Sequence, residues 1–91
     1  PKDTNELRNM IYTAYKIGYA PSSIRIPREV EAVSDEIKEM KELPIGKAEI
    51  LRKGEYIAIY GIGRTVRIAN EVAKSLQKYG YNPTVINLRF I

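Results

Sequence analysis

Residues 43–63 read LPIGKAEILRKGEYIAIYGIG, and this stretch decides the fold. Pro44 and Gly46 mark an irregular joint at its start, and Ala48 to Leu51 predict a short strand. The next four residues, RKGE at 52–55, predict a tight hairpin turn. Tyr56 to Tyr60 form an almost continuous apolar run, which is typical of a strand buried on both faces of a parallel sheet. The stretch therefore predicts the entry into a sheet.

A strand–helix–strand unit follows from this stretch. The pattern predicts a helix from about Thr65 to Tyr79 and a strand over Pro83 to Leu88. Gly80 suits the left-handed position that commonly ends a helix. The predicted buried stripe of the helix is Val66, Ala69, Val72, Ala73 and Leu76. Because the connections are short, we expect a βαβ unit with parallel strands.

The upstream half predicts one helix and one strand. Asp3 and Glu6 have the spacing of a capping pair, and Gly18 ends the helical pattern. The predicted apolar face consists of Leu7, Met10, Ile11, Ala14 and Tyr15. Residues 22–26 (SSIRI) alternate as in a strand, and Pro27 ends it. We therefore expect an α/β chain of partial parallel-sheet units, a helix–strand pair followed by βαβ, which begins and ends mid-alternation as a fragment would.

Composition limits the classes of function. The 91 residues are 44% hydrophobic and 29% charged, as in ordinary folded proteins. The chain has neither cysteine nor histidine, which excludes disulfides, zinc sites, Ser–His triads and thiol catalysis in these residues. No apolar run approaches the roughly 20 residues of a membrane span, and the first residues lack a signal-peptide core. We expect a cytoplasmic protein with no membrane partner.

The charge is uneven along the chain. Residues 29–42 carry six acids against two lysines, a net −4, so the remaining residues sum to +8. The 29–42 segment predicts a charged linker with partial helix. Asp35, Glu36 and Glu39 are a possible Mg²⁺ set there, although a solvated face explains them better. The cations are scattered, so a basic nucleic-acid-binding domain stays only an alternative and we expect no nucleic acid. Core packing is expected to account for the tyrosines at 15, 56 and 60.

Gly61-Ile62-Gly63 lies between a predicted strand and a predicted helix, as a phosphate-binding loop does. The third glycine of the dinucleotide fingerprint is missing, since Val66 occupies its position. No acid ends the following strand either, because Asn87 or Leu88 stands there. A structural turn is favoured, with a nucleotide-binding module built on residues 61–64 as the alternative.

Arg28 is the candidate site residue. It follows a predicted strand directly, and the carboxyl ends of parallel strands form the ligand crevice of open α/β sheets. A guanidinium suits a phosphate because it stays charged and donates two parallel hydrogen bonds. Arg25 would lie on the same side of the pleat. The competing interpretation is a surface arginine in an ion pair.

Four segments carry a resemblance to a known family: DTNELRNMIYTA at 3–14, IRIPR at 24–28, LPIGKAE at 43–49 and VINLRF at 85–90. In their order and spacing they closely resemble the 1-deoxy-D-xylulose-5-phosphate synthases. The resemblance covers nearly the whole chain, and residues 29–42 match poorly. The βα unit alone would fit other transketolase-like proteins, including the β subunit of 2-oxo acid dehydrogenases.

The resemblance implies a transferase that uses thiamine diphosphate and Mg²⁺ to decarboxylate pyruvate and join the two-carbon unit to glyceraldehyde 3-phosphate. Its product feeds isoprenoid, thiamine and pyridoxal biosynthesis, and members of the family are homodimers. The implied fold is the three-layer transketolase fold. Residues 1–28 would end the pyrimidine-binding domain, 29–42 would be the linker, and 43–91 would begin the C-terminal domain.

At residue level the resemblance implies one contact. Arg28 matches the arginine of the family's Tyr-Pro-Arg-Gly motif, which binds the phosphate of the aldehyde substrate. Ile26 and Glu29 stand in place of the tyrosine and the glycine, and an acid beside the arginine weakens the match. The family's cofactor-activating glutamate, metal motif and active-site histidines lie outside these residues. Thiamine diphosphate and Mg²⁺ would therefore bind elsewhere, and the chain alone is expected to be inactive.

Overall fold

The computed structural model describes residues 1–30 and 38–91. The elements there are α1 (Thr4–Ile17), β1 (Glu49–Arg52), β2 (Ala58–Gly61), α2 (Thr65–Gln77) and β3 (Thr84–Asn87). The sheet order is β1-β3-β2, in which β3 runs antiparallel to β1 and parallel to β2. The β2-α2-β3 unit is thus the expected parallel βαβ, and the α/β class is confirmed.

Helix α2 covers one face of the sheet. Ala69 and Ala73 pack on Val85, and Leu51 and Ile59 complete this small core. Small alanines on the helix allow it to approach the sheet closely, and branched residues on the strands fill the space between them. The predicted stripe was partly wrong, because Val72 is 43% exposed.

The end of α2 has the hydrogen bonds of a Schellman motif. Gly80 adopts a φ of +85°, and its N–H donates to the Gln77 carbonyl at 3.1 Å. The Tyr81 N–H donates to the Leu76 carbonyl, also at 3.1 Å. These bonds satisfy carbonyls that the last turn leaves free. The prediction for Gly80 is confirmed, and the helix ends two residues before the predicted Tyr79.

The opposite face of the sheet carries apolar side chains that the described residues do not cover. Ile50 and Tyr60 both pair with Ile86 in the strand register, and they are 56% and 61% exposed. The prediction that β2 is buried on both faces is therefore wrong, because α2 covers only one. Core packing was also wrong for Tyr15 and Tyr56, which are largely or fully exposed.

The predicted hairpin at residues 52–55 is wrong. β1 and β2 are not neighbours, because β3 lies between them. The connecting segment instead crosses the start of β3: the Gly54 N–H donates to Thr84 Oγ1 at 2.9 Å, and the Glu55 N–H donates to the Asn82 carbonyl at 2.7 Å. The central strand is supplied from 30 residues further along the chain, which local turn chemistry cannot reveal.

Helix α1 begins and ends as the sequence predicts, but the face that it buries matches the predicted one only in part, at Met10. Asp3 accepts a hydrogen bond from the Glu6 N–H at 2.7 Å, and Gly18 ends the helix with a φ of +61°. The buried residues are Glu6, Met10 and Thr13, whereas Ile11 and Tyr15 of the predicted apolar face are exposed. Polar contacts from Asn87 and Arg89 to Glu6 orient this helix.

The predicted strand at residues 22–26 is wrong. Residues 21–28 form neither helix nor strand. Strand backbone groups need a partner strand, and the three strands of the described sheet pair only with one another. Residues 38–42 also lack regular structure. The predicted partial helix and the acids Asp35 and Glu36 fall largely in 31–37, outside the described residues.

Neither α1 nor α2, the helices of the described ranges, is long and apolar enough to cross a membrane.

Candidate functional site

Arg28 lies on the surface beside a cleft. It is exposed, and within residues 1–30 and 38–91 its side chain has no hydrogen-bond or ion-pair partner. Its neighbours Pro27 and Glu29 line the cleft, which measures about 380 Å³. No strand ends before Arg28, so the strand-end argument does not hold. Its exposed, uncompensated guanidinium still suits an anionic ligand.

The N-terminal end of α2 also lines the cleft. Arg64 and Arg67 line it, and the Arg64 guanidinium forms an ion pair with the Glu29 carboxylate. Arg25 is exposed as well. The 21–28 segment is not a strand, so the expectation that a pleat places Arg25 and Arg28 on the same side does not hold.

The turn at residues 61–63 is built for packing. A Cβ on Gly61 would lie 2.8 Å from the Val66 Cα, so only glycine lets the strand end approach the helix this closely. The amides of residues 65, 66 and 67 already donate to carbonyls three residues earlier, at 3.3, 3.1 and 3.2 Å. Thr65 Oγ1 accepts from the Ile62 N–H at 2.9 Å. A phosphate-binding loop presents free amide donors, so the geometry favours the structural turn.

Five side chains form a polar seam between α1 and the ends of β1 and β3: Lys2, Glu6, Glu49, Asn87 and Arg89. Asn87 Nδ2 donates to Glu6 Oε2 at 2.7 Å and to Glu49 Oε2 at 3.1 Å. Arg89 Nε donates to Glu6 Oε2 at 3.0 Å, and its Nη2 lies 3.3 Å from Glu49 Oε2. Lys2 Nζ donates to Glu49 Oε2 at 2.6 Å. The seam balances two carboxylates against two cations.

Burial makes the polar seam consequential. The side chain of Glu6 is 3% exposed and Asn87 is fully buried, so each depends on partners to replace water. Arg89 adopts a φ of +59°, a costly conformation for a residue with a Cβ. Asn87 Oδ1 is buried without a hydrogen-bond partner in the described part of the chain. The seam thus fixes α1 on the sheet through directed bonds, with little apolar contact.

The seam also shifts a titration. Burial of Glu49 opposes its charged form, but hydrogen bonds from Lys2 and Asn87 and the charges of Lys2 and Arg89 outweigh it. The pKa of Glu49 therefore lies below its ordinary value of 4.5. A carboxylate whose pKa is lowered in the folded state stabilises the protein at pH values above its ordinary pKa. This stabilisation is lost as the pH falls through the folded-state pKa.

We expect Glu49→Gln to destabilise the protein at neutral pH and to have progressively less effect as the pH falls below 4.5. The reason is that protonation removes from the native protein the same charge that the substitution removes. Thermal unfolding of both forms from neutral pH to about pH 3 measures the difference. A destabilisation that stays constant across this range would contradict a role for the ionised carboxylate.

Sequence reasoning missed the polar seam. It assigned Glu6 only to the helix cap. It noted Asn87 only because this residue stands where the dinucleotide fingerprint would have an acid. The available signal was Asn87 and Arg89, polar residues at alternate positions closing an apolar strand. Their partners are up to 83 residues away in the chain, so no local spacing identified them.

Residues 1–30 and 38–91 contain no group of three or more acidic side chains placed to share a metal ion. The carboxylates of the seam are instead paired with Lys2, Asn87 and Arg89.

The chain is similar to known proteins over its full length. Residues 46–91 match the family model described as transketolase, C-terminal domain. A protein of Desulfitobacterium hafniense named 1-deoxy-D-xylulose-5-phosphate synthase is 44% identical over all 91 residues, and one of Brevibacillus brevis with the same name is 42% identical over 90 residues. A Geobacter sulfurreducens protein named 1-deoxy-D-xylulose-5-phosphate synthase 1 is 44% identical over 91 residues. The chain spans 14% of the length of each of these relatives.

Proposed function

Because the chain belongs to the transketolase C-terminal domain family, we propose that it is part of a thiamine diphosphate-dependent transferase. The reaction we propose for the full-length protein condenses pyruvate with glyceraldehyde 3-phosphate, with loss of CO₂, to give 1-deoxy-D-xylulose 5-phosphate. This product would serve isoprenoid, thiamine and pyridoxal biosynthesis. The 91 residues alone would be inactive.

One observation carries the proposal. The alignment to proteins named for this synthase, 40–44% identical over the whole chain, also covers residues 1–45, upstream of the part that matches the C-terminal domain family. A general transketolase-like relationship would account for the βαβ unit alone. The upstream match favours the synthase over the β subunit of 2-oxo acid dehydrogenases.

We further propose the domain division that the resemblance implies. Residues 1–28 would end a pyrimidine-binding domain, 29–42 would be a linker, and 43–91 would begin the C-terminal domain. Thiamine diphosphate would supply the carbanion chemistry and, with Mg²⁺, would bind to residues outside this chain. We also propose that the full-length protein works in the cytoplasm as a homodimer.

Arg28 is the proposed phosphate ligand within the chain. Support comes from its exposed guanidinium, its lack of a partner in the described ranges, and its position beside a cleft of about 380 Å³. A phosphate carries about −1.5 to −2 charges at neutral pH, so a fixed cation favours it more than it favours a monoanion. The proposed contact therefore distinguishes glyceraldehyde 3-phosphate from pyruvate.

In the full-length protein we expect Arg28→Ala to raise the KM for glyceraldehyde 3-phosphate by about 10- to 100-fold, because charge-assisted hydrogen bonds of this kind contribute roughly 1.5–3 kcal/mol. The KM for pyruvate should change by less than about twofold. Steady-state kinetics with each substrate varied in turn provides the measurement.

Arg52→Ala is the matched control, since Arg52 is a half-buried arginine that does not line the cleft, and its guanidinium bonds only Asn82 Oδ1 in the described residues. It should change neither KM. Equal increases in both KM values for Arg28→Ala would argue against phosphate binding, and a protein that forms no product from these substrates would refute the proposed reaction.

A further inference from the structure

Glu29, the residue directly after Arg28, forms an ion pair with Arg64. Glu29 stands where the family's motif has glycine, so it adds a carboxylate directly beside the proposed phosphate ligand. Adjacent Cα atoms are only about 3.8 Å apart. An unpaired carboxylate on this neighbouring residue would repel a phosphate dianion bound at Arg28 and would compete for the Arg28 guanidinium. In the structure, the Glu29 carboxylate contacts Arg64, 35 residues further along the chain.

The exposure of this ion pair indicates what it can do. The side chains of Glu29 and Arg64 are 49% and 63% exposed, and pairs this accessible contribute little to folding stability. Their effect on the charge around Arg28 is different, because it acts on a ligand that carries almost two negative charges. The pair also draws the carboxylate toward the first turn of α2.

We propose that Arg64 is a positioning residue for Arg28: it neutralises and holds Glu29, and so keeps the Arg28 guanidinium available for the substrate phosphate. This inference rests on the proposed function. It assigns Arg64 no contact with substrate. It also explains how this chain accommodates an acid in place of the motif glycine.

A double-mutant cycle in the full-length protein tests the inference. Arg64→Gln should raise the KM for glyceraldehyde 3-phosphate about three- to tenfold, the size expected for one partly screened charge acting on a dianion. The KM for pyruvate should stay within about twofold. Glu29→Gln alone should leave both KM values near those of the unsubstituted protein. In the Glu29→Gln background, Arg64→Gln should have no further effect.

Two further variants separate positioning from other roles. Arg64→Lys keeps the charge and should restore most of the lost affinity. Arg67→Gln removes the same charge from the same helical turn, and Arg67 has no ion-pair partner among residues 1–30 and 38–91. The effect of Arg67→Gln on the KM for glyceraldehyde 3-phosphate should therefore be the same with and without the Glu29→Gln substitution.

An equal effect of Arg64→Gln in both backgrounds, or no effect in either, would overturn the inference. The KM for glyceraldehyde 3-phosphate of the Arg28→Ala variant, measured in the same experiment, distinguishes failure of this inference from failure of the proposed function. If Arg28→Ala raises the KM for glyceraldehyde 3-phosphate and Arg64→Gln does not, only the inference is wrong. If Arg28→Ala leaves that KM unchanged, the phosphate-binding role and the inference are both wrong.

Discussion

Gly54→Ala is expected to destabilise β3 by about 3 kcal/mol or more, because the added methyl group has no space. A Cβ at Gly54 would overlap the Asn82 carbonyl oxygen and the backbone of Pro83. Backbone atoms cannot rotate away as a flexible side chain does. The substitution would force the 52–57 crossing away from the start of the central strand.

Amide hydrogen exchange in the full-length protein measures this effect locally. The Thr84 N–H, which donates to the Ile57 carbonyl at 2.8 Å, should exchange about 100-fold faster or more. Gly46→Ala is the control: Gly46 has a φ of +75° but nothing lies within 4 Å of its added Cβ, so the cost should be only the roughly 1–2 kcal/mol of the left-handed backbone. Similar effects of the two substitutions would show that steric overlap at Gly54 is not the cause.

Glu6→Ala should have the second large effect: it should lower the free energy that holds α1 on the sheet by about 3–5 kcal/mol. The Glu6 carboxylate accepts from Asn87 Nδ2 at 2.7 Å and from Arg89 Nε at 3.0 Å. Truncation leaves the Arg89 side chain, which is 14% exposed, short of one anionic partner. Removing one member of a buried pair costs far more than the pair itself contributes.

Amide exchange in α1 is again the measurement, with two comparisons. Glu6→Gln keeps an oxygen acceptor without the charge, so its effect should fall between those of the unsubstituted protein and Glu6→Ala. Glu71→Ala removes an exposed acid from α2 and should change stability by no more than about 0.5 kcal/mol. If Glu6→Ala changes α1 exchange no more than Glu71→Ala does, the polar seam does not hold the helix.

Local signals predicted both helices and the three strands of the sheet, although the strand expected at 22–26 is absent from the described structure. The Asp3 cap, the Gly18 and Gly80 helix ends and the short strands of β1 and β3 all formed close to their predicted places. Each depends on side chains within a few residues of one another, which a sequence displays directly. The family resemblance also agreed with the comparisons, since identity extended across the whole chain.

Contacts between distant residues were not predictable in the same way. The hairpin was expected because β1 and β2 are near in sequence, but β3 lies between them. The α1 face was expected from hydropathy, but Glu6 and Thr13 are buried because Asn87, Arg89 and the Leu43 N–H bond them. Arg28 was a candidate from two arguments, its place after a predicted strand, which the structure does not contain, and the family resemblance; its role stays a prediction. Sequence patterns register hydrophobicity, whereas these contacts depend on specific hydrogen-bond partners far along the chain.

The strand order has a consequence for how the chain folds during synthesis. Among the described residues, β3 follows β1 and β2 in the chain but lies between them in the sheet, so neither has this partner before Thr84–Asn87 have left the ribosome. Bringing Glu49 to Asn87 closes a separation of 38 residues, which slows folding more than a hairpin would. Until then the unpaired backbone edges of β1 and β2 and their apolar side chains are exposed in the nascent chain. Such segments are most prone to aggregate at that stage.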